Sequence, residues 1–524
     1  MIELRHVTLS YGSKAVLRDV SFSIPDGDLC LVIGRTGTGK STLLGLFNGL
    51  VPNATGGAFT GRILLGGRDV TGTPTRDLAA TIGYVGQDPV RGFVTDTVEE
   101  EIAYGMEQLG VDPQAMRKRV EETLDLLGIA DLRGRPLADL SGGQQQRVAI
   151  ASVLAAQPRI LVLDEPTSAL DPTAAHDVVA TLTTLVREVG LTVVLAEHRL
   201  ERVMDAADSM IWLPGDGRAV AGDPSAVLAV ADVTPPLAEL AHVLRWTSVP
   251  LSVRDARRRV QREQVTPPEP RDAPLPTQPV ALAAADLRVR YGAVTALKGA
   301  NLVVAAGTVT SLMGRNGAGK SSLLWALQGG VPSTGTVTVA GRDPRTLAPG
   351  DARRLVSLVP QTAADLLYLP TVADECHQAD VESSAPPGSC ATLLADLGIT
   401  LDPTADPWEL SEGQRLALVL AVQLTAQPSV VLLDEPTRGL DYTSKAALAD
   451  LVARLAAKGT AVVIATHDVE FAARASQRTI VMAEGEIVAD GPTREICTSS
   501  AAYAPQTAKV FAPFPVLVPR EVAP

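Results

Sequence analysis

The chain has few cysteines and no long apolar run. Its four cysteines lie far apart without a CxxC pair, which argues against a disulfide framework or a zinc site and fits a reducing cytoplasm. No segment approaches the roughly 18 uninterrupted apolar residues of a membrane-spanning helix. The first residues also lack the basic region and apolar run of a secretory signal. Any membrane role is therefore expected to come through partner proteins.

Positive charge is scarce as well. The 46 Lys and Arg are outnumbered by 59 Asp and Glu, for a formal net charge of -13. Because affinity for nucleic acid comes mainly from clustered Lys and Arg, we expect no nucleic acid partner, whereas small phosphorylated ligands remain compatible. With 524 residues, of which 46% are hydrophobic, the chain is too long for a single core and predicts at least two domains.

The chain is a tandem repeat. The motifs between Tyr11 and His198 recur in the same order between Tyr291 and His467. In each copy, apolar strands alternate with helical stretches, which predicts an α/β fold with a parallel sheet between helices. We predict a first domain at residues 1–246, a Pro- and Arg-rich linker at 247–280, a second domain at 281–503 and a Pro-rich tail without assigned function at 504–524.

A Gly-rich loop of the pattern G-x-x-x-x-G-K-[ST] follows a strand and precedes a helix in each copy. Its glycines let backbone N–H groups point at phosphate oxygens, and the helix N-terminus adds a favourable dipole. The pattern predicts Lys40 and Lys320 on the β- and γ-phosphates and Ser41 and Ser321 on Mg²⁺. The candidate nucleotide-binding residues of the loops are Gly34, Gly37, Gly39, Lys40, Ser41, Thr42, Gly314, Gly317, Gly319, Lys320, Ser321 and Ser322.

An acidic pair ends a later strand in each copy. Asp164-Glu165 follows four apolar residues, and so does Asp434-Glu435. At such a strand end an aspartate can hold Mg²⁺, while a glutamate can orient or deprotonate the attacking water. The pairs therefore predict hydrolysis of the nucleotide in addition to binding.

These motifs resemble those of the ABC ATPase family over nearly all the chain except the linker and tail. The decisive motif is Leu140-Ser141-Gly142-Gly143-Gln144, which is similar to the family's signature. Its counterpart, Leu410-Ser411-Glu412-Gly413-Gln414, has Glu412 in the place of a usual glycine. The resemblance implies two P-loop NTPase (ABC ATPase) domains, each with a mainly parallel sheet core, an antiparallel β subdomain and a helical signature subdomain.

The resemblance also implies ATP and Mg²⁺ as ligands and assigns roles to matching residues. Adenine stacking falls to Tyr11 and Tyr291, communication between sites to Asp171 and Asp441, and contacts to the γ-phosphate to Ser141, Gly143, Gln144, Ser411, Gly413 and Gln414. Catalytic roles fall to Glu165, Glu435, His198, His467, Gln87 and Gln361. Mg²⁺ ligation falls to Ser41, Gln87, Asp164, Ser321, Gln361 and Asp434.

In this family, two domains pair head to tail, so that one domain's phosphate loop and the other's signature hold each ATP. The resemblance thus implies pairing of the two domains within the chain. Because Glu412 alters one of the two signatures, we predict two hydrolytic sites of unequal activity.

The segment from Gln87 to Gly105 resembles the corresponding region of energy-coupling factor (ECF) transporter ATPases, as does the stretch from Glu197 to Val203. This resemblance implies a subunit at the cytoplasmic face of the membrane that energises import of a vitamin or transition-metal ion. Its partners would be an integral membrane scaffold and a substrate-binding membrane subunit. Apolar Phe93 and Val94 beside the acidic residues 99–101 suit a groove for a basic amphipathic helix.

Two other functions remain open. A soluble two-cassette ABC translation factor acting on ribosomes also lacks a membrane span, although the acidic charge and Pro-rich linker of this chain count against it. The chain is also compatible with the fused ATPase subunit of another ABC importer, such as a sugar importer. In that class the second cassette often loses catalytic residues, whereas Glu435 and His467 are present here.

Overall fold

The computed structural model describes residues 1–168, 170–270, 278–397 and 399–523. Residues 271–277 of the predicted linker, Ala169 before Asp171 and the last residue of the predicted tail lie outside the described residues. The chain divides into two compact units, Met1–Ala256 and Arg257–Pro524, called unit 1 and unit 2 below.

Unit 1 contains two sheets among its described residues. One is an antiparallel sheet in the order β2-β1-β4-β5, and the other is a six-stranded sheet in the order β10-β9-β3-β8-β7-β6, parallel except for β10. The strands are β1 Ile2–Tyr11, β2 Lys14–Ile24, β3 Leu29–Gly34, β4 Ala58–Leu65, β5 Arg68–Asp69, β6 Ile82–Val85, β7 Ile160–Asp164, β8 Thr192–Ala196, β9 Ser209–Leu213 and β10 Val220–Gly222.

The helices of unit 1 flank the parallel sheet and form a separate helical layer before the signature. They are α1 Lys40–Phe47, α2 Thr75–Leu78, α3 Val98–Gln108, α4 Pro113–Leu126, α5 Gly142–Leu154, α6 Pro172–Thr184, α7 Pro224–Val230, α8 Pro236–Val243 and α9 Val253–Arg262, which contains the unit boundary. Shorter helical turns are Pro89–Gly92, Ala130–Leu132, Leu137–Asp139, Leu185–Val189 and Leu200–Arg202.

Unit 2 repeats this plan. In its described residues, an antiparallel sheet has the order β12-β11-β14, and a six-stranded sheet has the order β15-β16-β17-β13-β18-β19, parallel except for β19. The strands are β11 Val280–Tyr291, β12 Val294–Ala305, β13 Val309–Met313, β14 Thr334–Val339, β15 Val356–Val359, β16 Val430–Asp434, β17 Ala461–Ala465, β18 Arg478–Ala483 and β19 Glu486–Pro492.

The helices of unit 2 follow in the same order as those of unit 1. They are α10 Lys320–Gln328, α11 Pro349–Leu355, α12 Val372–Glu382, α13 Ser389–Asp396, α14 Glu412–Leu424, α15 Tyr442–Ala457, α16 Val469–Ala475, α17 Thr493–Thr498 and α18 Gln506–Phe511. Shorter helical turns are Pro344–Thr346, Ala363–Leu366, Pro407–Glu409 and Pro519–Val522.

The apolar runs of the sequence form the central strands because helices cover both faces of each parallel sheet. Every residue of β3, β7 and β8 is buried, as is every residue of β13, β16 and β17. Parallel strands place their carboxyl ends along one edge, where the phosphate loop and the acidic pair both begin. The predicted α/β class, with parallel cores and antiparallel sheets, is confirmed. No helix within the described ranges is long and apolar enough to cross a membrane.

The segment predicted as a Pro-rich tail packs into unit 2. Helix α18 buries Val510 and Phe511, and Val516 and Leu517 beyond it are also buried. Arg494 of α17 donates to the carbonyl of Pro515 at 2.5 Å, much as Ser225 of α7 donates to the carbonyl of Val249 at 2.7 Å. The region after β19 thus parallels the region after β10, while the domain boundaries proposed from the sequence stay a prediction.

Candidate nucleotide site

The phosphate loop of each unit joins a central strand to the helix after it. Between β3 and α1, Lys40 is buried, and its Nζ donates to the carbonyls of Gly34 and Arg35, both at 3.0 Å. Between β13 and α10, Lys320 donates to two carbonyls of its own loop at 2.9 and 3.2 Å. Each ammonium group is therefore held against the loop backbone, where the sequence places the phosphates of a nucleotide.

A glycine is required where each loop enters its helix. Gly39 has a φ of +100°, and a Cβ there would lie 2.5 Å from Cγ1 of Val16. Gly319 has a φ of +99°, and its Cβ would lie 2.6 Å from the carbonyl oxygen of Ala296. Since any side chain would be both strained and obstructed, only glycine lets the first N–H groups of α1 and α10 face the loop.

The strand-end aspartates lie beside the loop serines. Asp164 and Asp434 are buried and accept hydrogen bonds from the hydroxyls of Ser41 and Ser321. Burial raises the pKa of Asp164, and it raises the pKa of Asp434 to about 6. Within the described residues, Oδ1 of each carboxylate is buried without a hydrogen-bond partner. A buried, unpartnered carboxylate oxygen next to a serine hydroxyl fits the oxygen ligand set that Mg²⁺ prefers.

The glutamate after β7 is in contact with two other predicted catalytic residues. The carboxylate of Glu165 lies 3.0 Å from Nε2 of His198 and accepts from Nε2 of Gln87 at 3.2 Å. Burial raises its pKa, but the His198 hydrogen bond, the charge of Lys40 and the Gln87 hydrogen bond outweigh burial and lower it. Glu165 also has a φ of +52°, a strained conformation found often at active sites. Unit 1 thus holds an ionised carboxylate where a general base is expected.

The second glutamate has a similar but not identical surrounding. Glu435 lies 2.8 Å from Nδ1 of His467 and 4.0 Å from Nζ of Lys320. Its φ is +49°, close to that of its counterpart. Gln361 is exposed after β15, and within the described part of unit 2 no hydrogen bond joins it to Glu435. The structure therefore brings the glutamate and histidine together in both units but brings the glutamine to them only in unit 1.

The signature serine and glutamine begin the helix of each signature. Ser141 is the N-cap of α5, and its hydroxyl accepts from the N–H of Gln144, whose side chain accepts from the N–H of Ser141 at 2.9 Å. Ser411 and Gln414 form the same reciprocal pair at α14, with the corresponding distance 3.0 Å. This capping box gives both residues a structural role at the start of the helix. The remaining N–H groups of the first turn stay unpaired within the helix and point out of its end.

Glu412 gives the second signature a charge that the first does not have. It is the first residue of α14, where unit 1 has Gly142. A carboxylate in the first turn favours the helix through the helix dipole but competes with any other anion there. Arg415 balances part of this charge, because its Nη1 lies 3.6 Å from Oε1 of Glu412. The two signatures therefore differ electrostatically.

The structure also shows the surroundings of the predicted communication and adenine-stacking residues. Asp171 and Asp441 are the N-caps of α6 and α15, and each accepts a backbone N–H, at 2.9 and 2.8 Å. The hydroxyl of Tyr11 is 3.0 Å from that of Thr55, whereas Tyr291 is exposed. Their predicted roles in communication and adenine stacking stay predictions.

The family described as ABC transporter matches residues 17–168 and 297–438. The chain belongs to the ABC transporter ATP-binding protein family. It is 50% identical to a candidate ABC transporter ATP-binding protein of Streptomyces avermitilis, over 98% of each chain. It is 28% identical to YkoD of Bacillus subtilis, a candidate HMP/thiamine import ATP-binding protein, over 95% of this chain and 92% of YkoD.

Among solved structures, an archaeal ribosome recycling factor, aABCE1, in complex with a ribosomal stalk protein shares the fold. The TM-score is 0.63 at 20% identity, over 94% of this chain and 91% of that chain. The predicted ATPase activity is confirmed, because the chain is a two-cassette ABC ATPase. ABC ATPases bind ATP with Mg²⁺. The resemblance to ABC ATPases noted in the sequence is thus correct, and its ECF refinement stays a prediction.

The loop that contains His198 in this ABC ATPase has a buried residue, Glu197, whose structural role the motifs did not indicate. Glu197 is buried, and it accepts hydrogen bonds from the N–H and hydroxyl of Thr167 and from the N–H of His198 at 3.0 Å. Arg202 donates to the carbonyl of Thr167 at 3.0 Å. The sequence signal was the run Glu-His-Arg at the end of β8, and its effect is to tie His198 to the loop after Glu165.

Unit 2 of the ABC ATPase replaces this network with a buried ion pair. Nζ of Lys445 on α15 lies 2.7 Å from Oδ2 of Asp468, the residue after His467. Neither residue stands out in a motif search, since unit 1 has Ala175 and Arg199 at these places. The residues beside His198 and His467 are therefore held by different contacts in the two units.

A buried glutamate shapes the loop after each predicted Gln. Glu101 accepts from the N–H groups of Val94 and Thr95, both at 3.0 Å, and Glu375 accepts from those of Tyr368 and a neighbour at 2.5 and 2.7 Å. Glu101 is buried, so it does not add its charge to the acidic side of the groove predicted beside residues 99–101. Its buried carboxylate supplies the acceptor for these two backbone donors of the turn.

Proposed function

We propose that the chain is the ATP-hydrolysing subunit of an ECF-type complex that imports a vitamin or transition-metal ion. The similarity to YkoD supports this proposal, because it extends over 95% of the chain and YkoD is named for HMP/thiamine import. The sequence from Gln87 to Gly105 supports it as well. In this proposal the chain sits at the cytoplasmic face of the membrane, bound to an integral membrane scaffold and a substrate-binding subunit.

The observation that supports a membrane partner is an exposed apolar side chain in each unit. It lies on a loop whose backbone is fixed by hydrogen bonds to a buried glutamate. Val94 is 61% exposed and Tyr368 is 67% exposed. Each lies on a loop whose backbone is held by a buried glutamate, Glu101 or Glu375. Because the loop is pre-organised, docking a partner helix onto it costs little ordering entropy. A valine in one unit and a tyrosine in the other favour two different partner helices.

For hydrolysis, we propose that Mg²⁺ is held by Ser41 and Asp164 in unit 1. The bound ion supplies positive charge that neutralises the transferring phosphate. Glu165 accepts a proton from the attacking water at its carboxylate, and Gln87 orients that water. His198 keeps Glu165 ionised through their hydrogen bond, because it lowers the pKa of that carboxyl.

The same roles fall in unit 2 to Ser321, Asp434, Glu435 and His467. Gln361 makes no hydrogen bond to Glu435 within the described residues, so we propose that it approaches only when the site is filled. Pairing of the two cassettes within the chain and unequal activity of the two sites remain proposals that rest on the family resemblance and on Glu412.

Purification of the tagged chain from its native membranes tests the proposal. We expect a small helical membrane scaffold and a substrate-binding membrane protein to co-purify with the wild type. Val94→Asp should lose both, whereas Val189→Asp should keep them, because Val189 is 71% exposed elsewhere on unit 1. Recovery of ribosomes instead would support the translation-factor alternative. Recovery of a different permease would support another ABC importer.

A further inference from the structure

The phosphate loop of unit 1 is attached to the segment between α7 and α8. Nη2 of Arg35, the second residue of the loop, lies 2.8 Å from Oδ2 of Asp232. Oδ1 of the same carboxylate accepts from the indole Nε1 of Trp212 at 3.0 Å. The carboxylate of Asp232 therefore binds Trp212 of the sheet through one oxygen and Arg35 of the phosphate loop through the other.

Trp212, the partner of Asp232 on the sheet side, is fixed in position by the central sheet. Trp212 lies on β9 and pairs with Ile33 of β3, the strand that leads directly into the phosphate loop. Its ring is partly buried, and its N–H orients the carboxylate of Asp232. The side chain of Arg35 is thus held against a carboxylate whose own position the sheet determines.

On the loop side, Arg35 is the residue on which the loop's internal hydrogen bonds converge. Its carbonyl accepts from Nζ of Lys40 at 3.0 Å, from the hydroxyl of Thr38 at 2.9 Å and from the N–H of Thr38 at 3.4 Å. Fixing the side chain of Arg35 therefore also restrains the carbonyl that positions Lys40. Asp232 is 31% exposed and Arg35 50%, so the pair is accessible to salt.

Unit 2 has no counterpart of Thr38, Trp212 or Asp232 at the corresponding positions. The residue that corresponds to Thr38 is Ala318, and the strand partner of Met313 is Val481 in place of a tryptophan. The segment between α17 and α18 contains no acidic residue, with Ala501 and Ala502 in the region of Asp232. Arg315 is exposed and has no ion pair within the described residues of unit 2. The attachment is therefore specific to one of two otherwise similar loops.

We propose that Asp232 is a positioning residue for ATP binding at the first phosphate loop, acting through Arg35. A loop already held in its binding conformation loses less entropy when it closes on phosphates. The electrostatic restraint also keeps the Arg35 side chain against Asp232, so that the loop backbone and Lys40 present the binding groups. The inference rests on the proposed function of this loop, and it predicts that the first site binds ATP more tightly than it would without Asp232.

The test isolates the first site in the full chain. Lys320→Ala removes the phosphate lysine of the second loop, and binding of a fluorescent methylanthraniloyl-ATP with Mg²⁺ then reports the first. In that background, Asp232→Asn should weaken binding roughly two- to five-fold, the range expected for a partly exposed ion pair. Asp232→Glu should restore part of the affinity. Glu122→Gln, which breaks an exposed pair with Lys118 at 3.3 Å on α4, should change nothing.

Three further readouts separate positioning from a loss of stability. The affinity difference should disappear in about 1 M salt, where the screening length is about 3 Å. In steady-state hydrolysis, Asp232→Asn should raise KM for ATP and leave kcat unchanged. Arg35→Gln should give the same loss as Asp232→Asn, with no additional loss in the double variant.

Equal affinities for the wild-type and Asp232→Asn loops, or a difference that high salt leaves intact, would overturn the inference. So would an additive loss in the double variant. Should the Lys320→Ala chain bind no nucleotide at all, the assignment of ATP to the first loop would be overturned before Asp232 is compared, and the inference with it.

Discussion

Replacing Asp434 by asparagine should stabilise the nucleotide-free protein at neutral pH while it removes hydrolysis at that site. Burial raises the pKa of this carboxyl from 3.8 to about 6. At about 1.4 kcal/mol for each pKa unit, holding the charge in the folded state costs about 3 kcal/mol. Asparagine keeps the shape and carries no charge, so it avoids most of this cost.

The pH dependence has a definite sign. Between pH 3.8 and about 6, the folded chain binds more protons at Asp434 than the unfolded chain does, so the stability of the wild type falls as pH rises through this window. The advantage of Asp434→Asn should therefore be complete above about pH 6 and smaller by about 2 kcal/mol at pH 4.5.

Thermal unfolding of the full chain without nucleotide measures the effect. For a unit of this size, 3 kcal/mol corresponds to a rise of roughly 6–12 °C in the transition of unit 2 at pH 8. Asp450→Asn, an exposed aspartate on α15, is the matched control and should change the transition by less than about 2 °C. A variant no more stable than the wild type at pH 8, or equally stabilised at pH 4.5 and pH 8, would refute the reasoning.

Replacing both Glu165 and Glu435 by glutamine should lower ATP hydrolysis roughly 10²- to 10⁴-fold in a phosphate-release assay, because an amide cannot accept the proton of the attacking water. Glu412→Gly should raise turnover in the same assay, since it removes a negative charge from the helix end expected to face the γ-phosphate. Glu101→Ala should cost about 1–3 kcal/mol in thermal unfolding, because it leaves two partly buried backbone N–H groups without their acceptor, whereas exposed Glu100→Ala should cost under about 0.5 kcal/mol.

Distinct outcomes would contradict these expectations. Full hydrolysis by the double glutamine variant would show that neither glutamate takes part in the reaction. Equal losses of activity in the two single variants would count against sites of unequal activity. Unchanged or lower turnover with Glu412→Gly would show that its charge does not reach the nucleotide. Equal unfolding temperatures for the alanine variants of Glu101 and Glu100 would show that the loop holds its shape without the buried carboxylate.

Much of the candidate site could be predicted because its residues are close in sequence to strand ends. Lys40 and Ser41 begin α1, and Asp164 and Glu165 end β7, so alternation of strands and helices brings them to one sheet edge. The spacing within each motif reflects a local geometry, such as the left-handed φ of Gly39. Local geometry of this kind can be read along the chain.

Contacts that depend on packing and on the balance of hydrogen bonds could not be predicted in this way. The burial of Glu101 depends on which backbone donors its loop leaves unpaired, and a run of three glutamates does not reveal that. The pair between Lys445 and Asp468 joins a helix to a loop 23 residues later. The pair between Arg35 and Asp232 joins residues almost 200 positions apart. Arg35 occupies a variable position of the phosphate-loop pattern, and Asp232 belongs to no motif.

The sequence alone therefore determined the duplication, the α/β class and the ATPase chemistry, because these depend on periodicity and on short motifs whose geometry is local. Only the tertiary structure decided which carboxylates are buried acceptors and which histidine nitrogen contacts each glutamate. It also decided that the first phosphate loop is attached to a later segment, whereas the second has no such ion pair within the described part of the chain. These properties depend on packing, burial and hydrogen-bond balance, which arise only when distant parts of the chain meet.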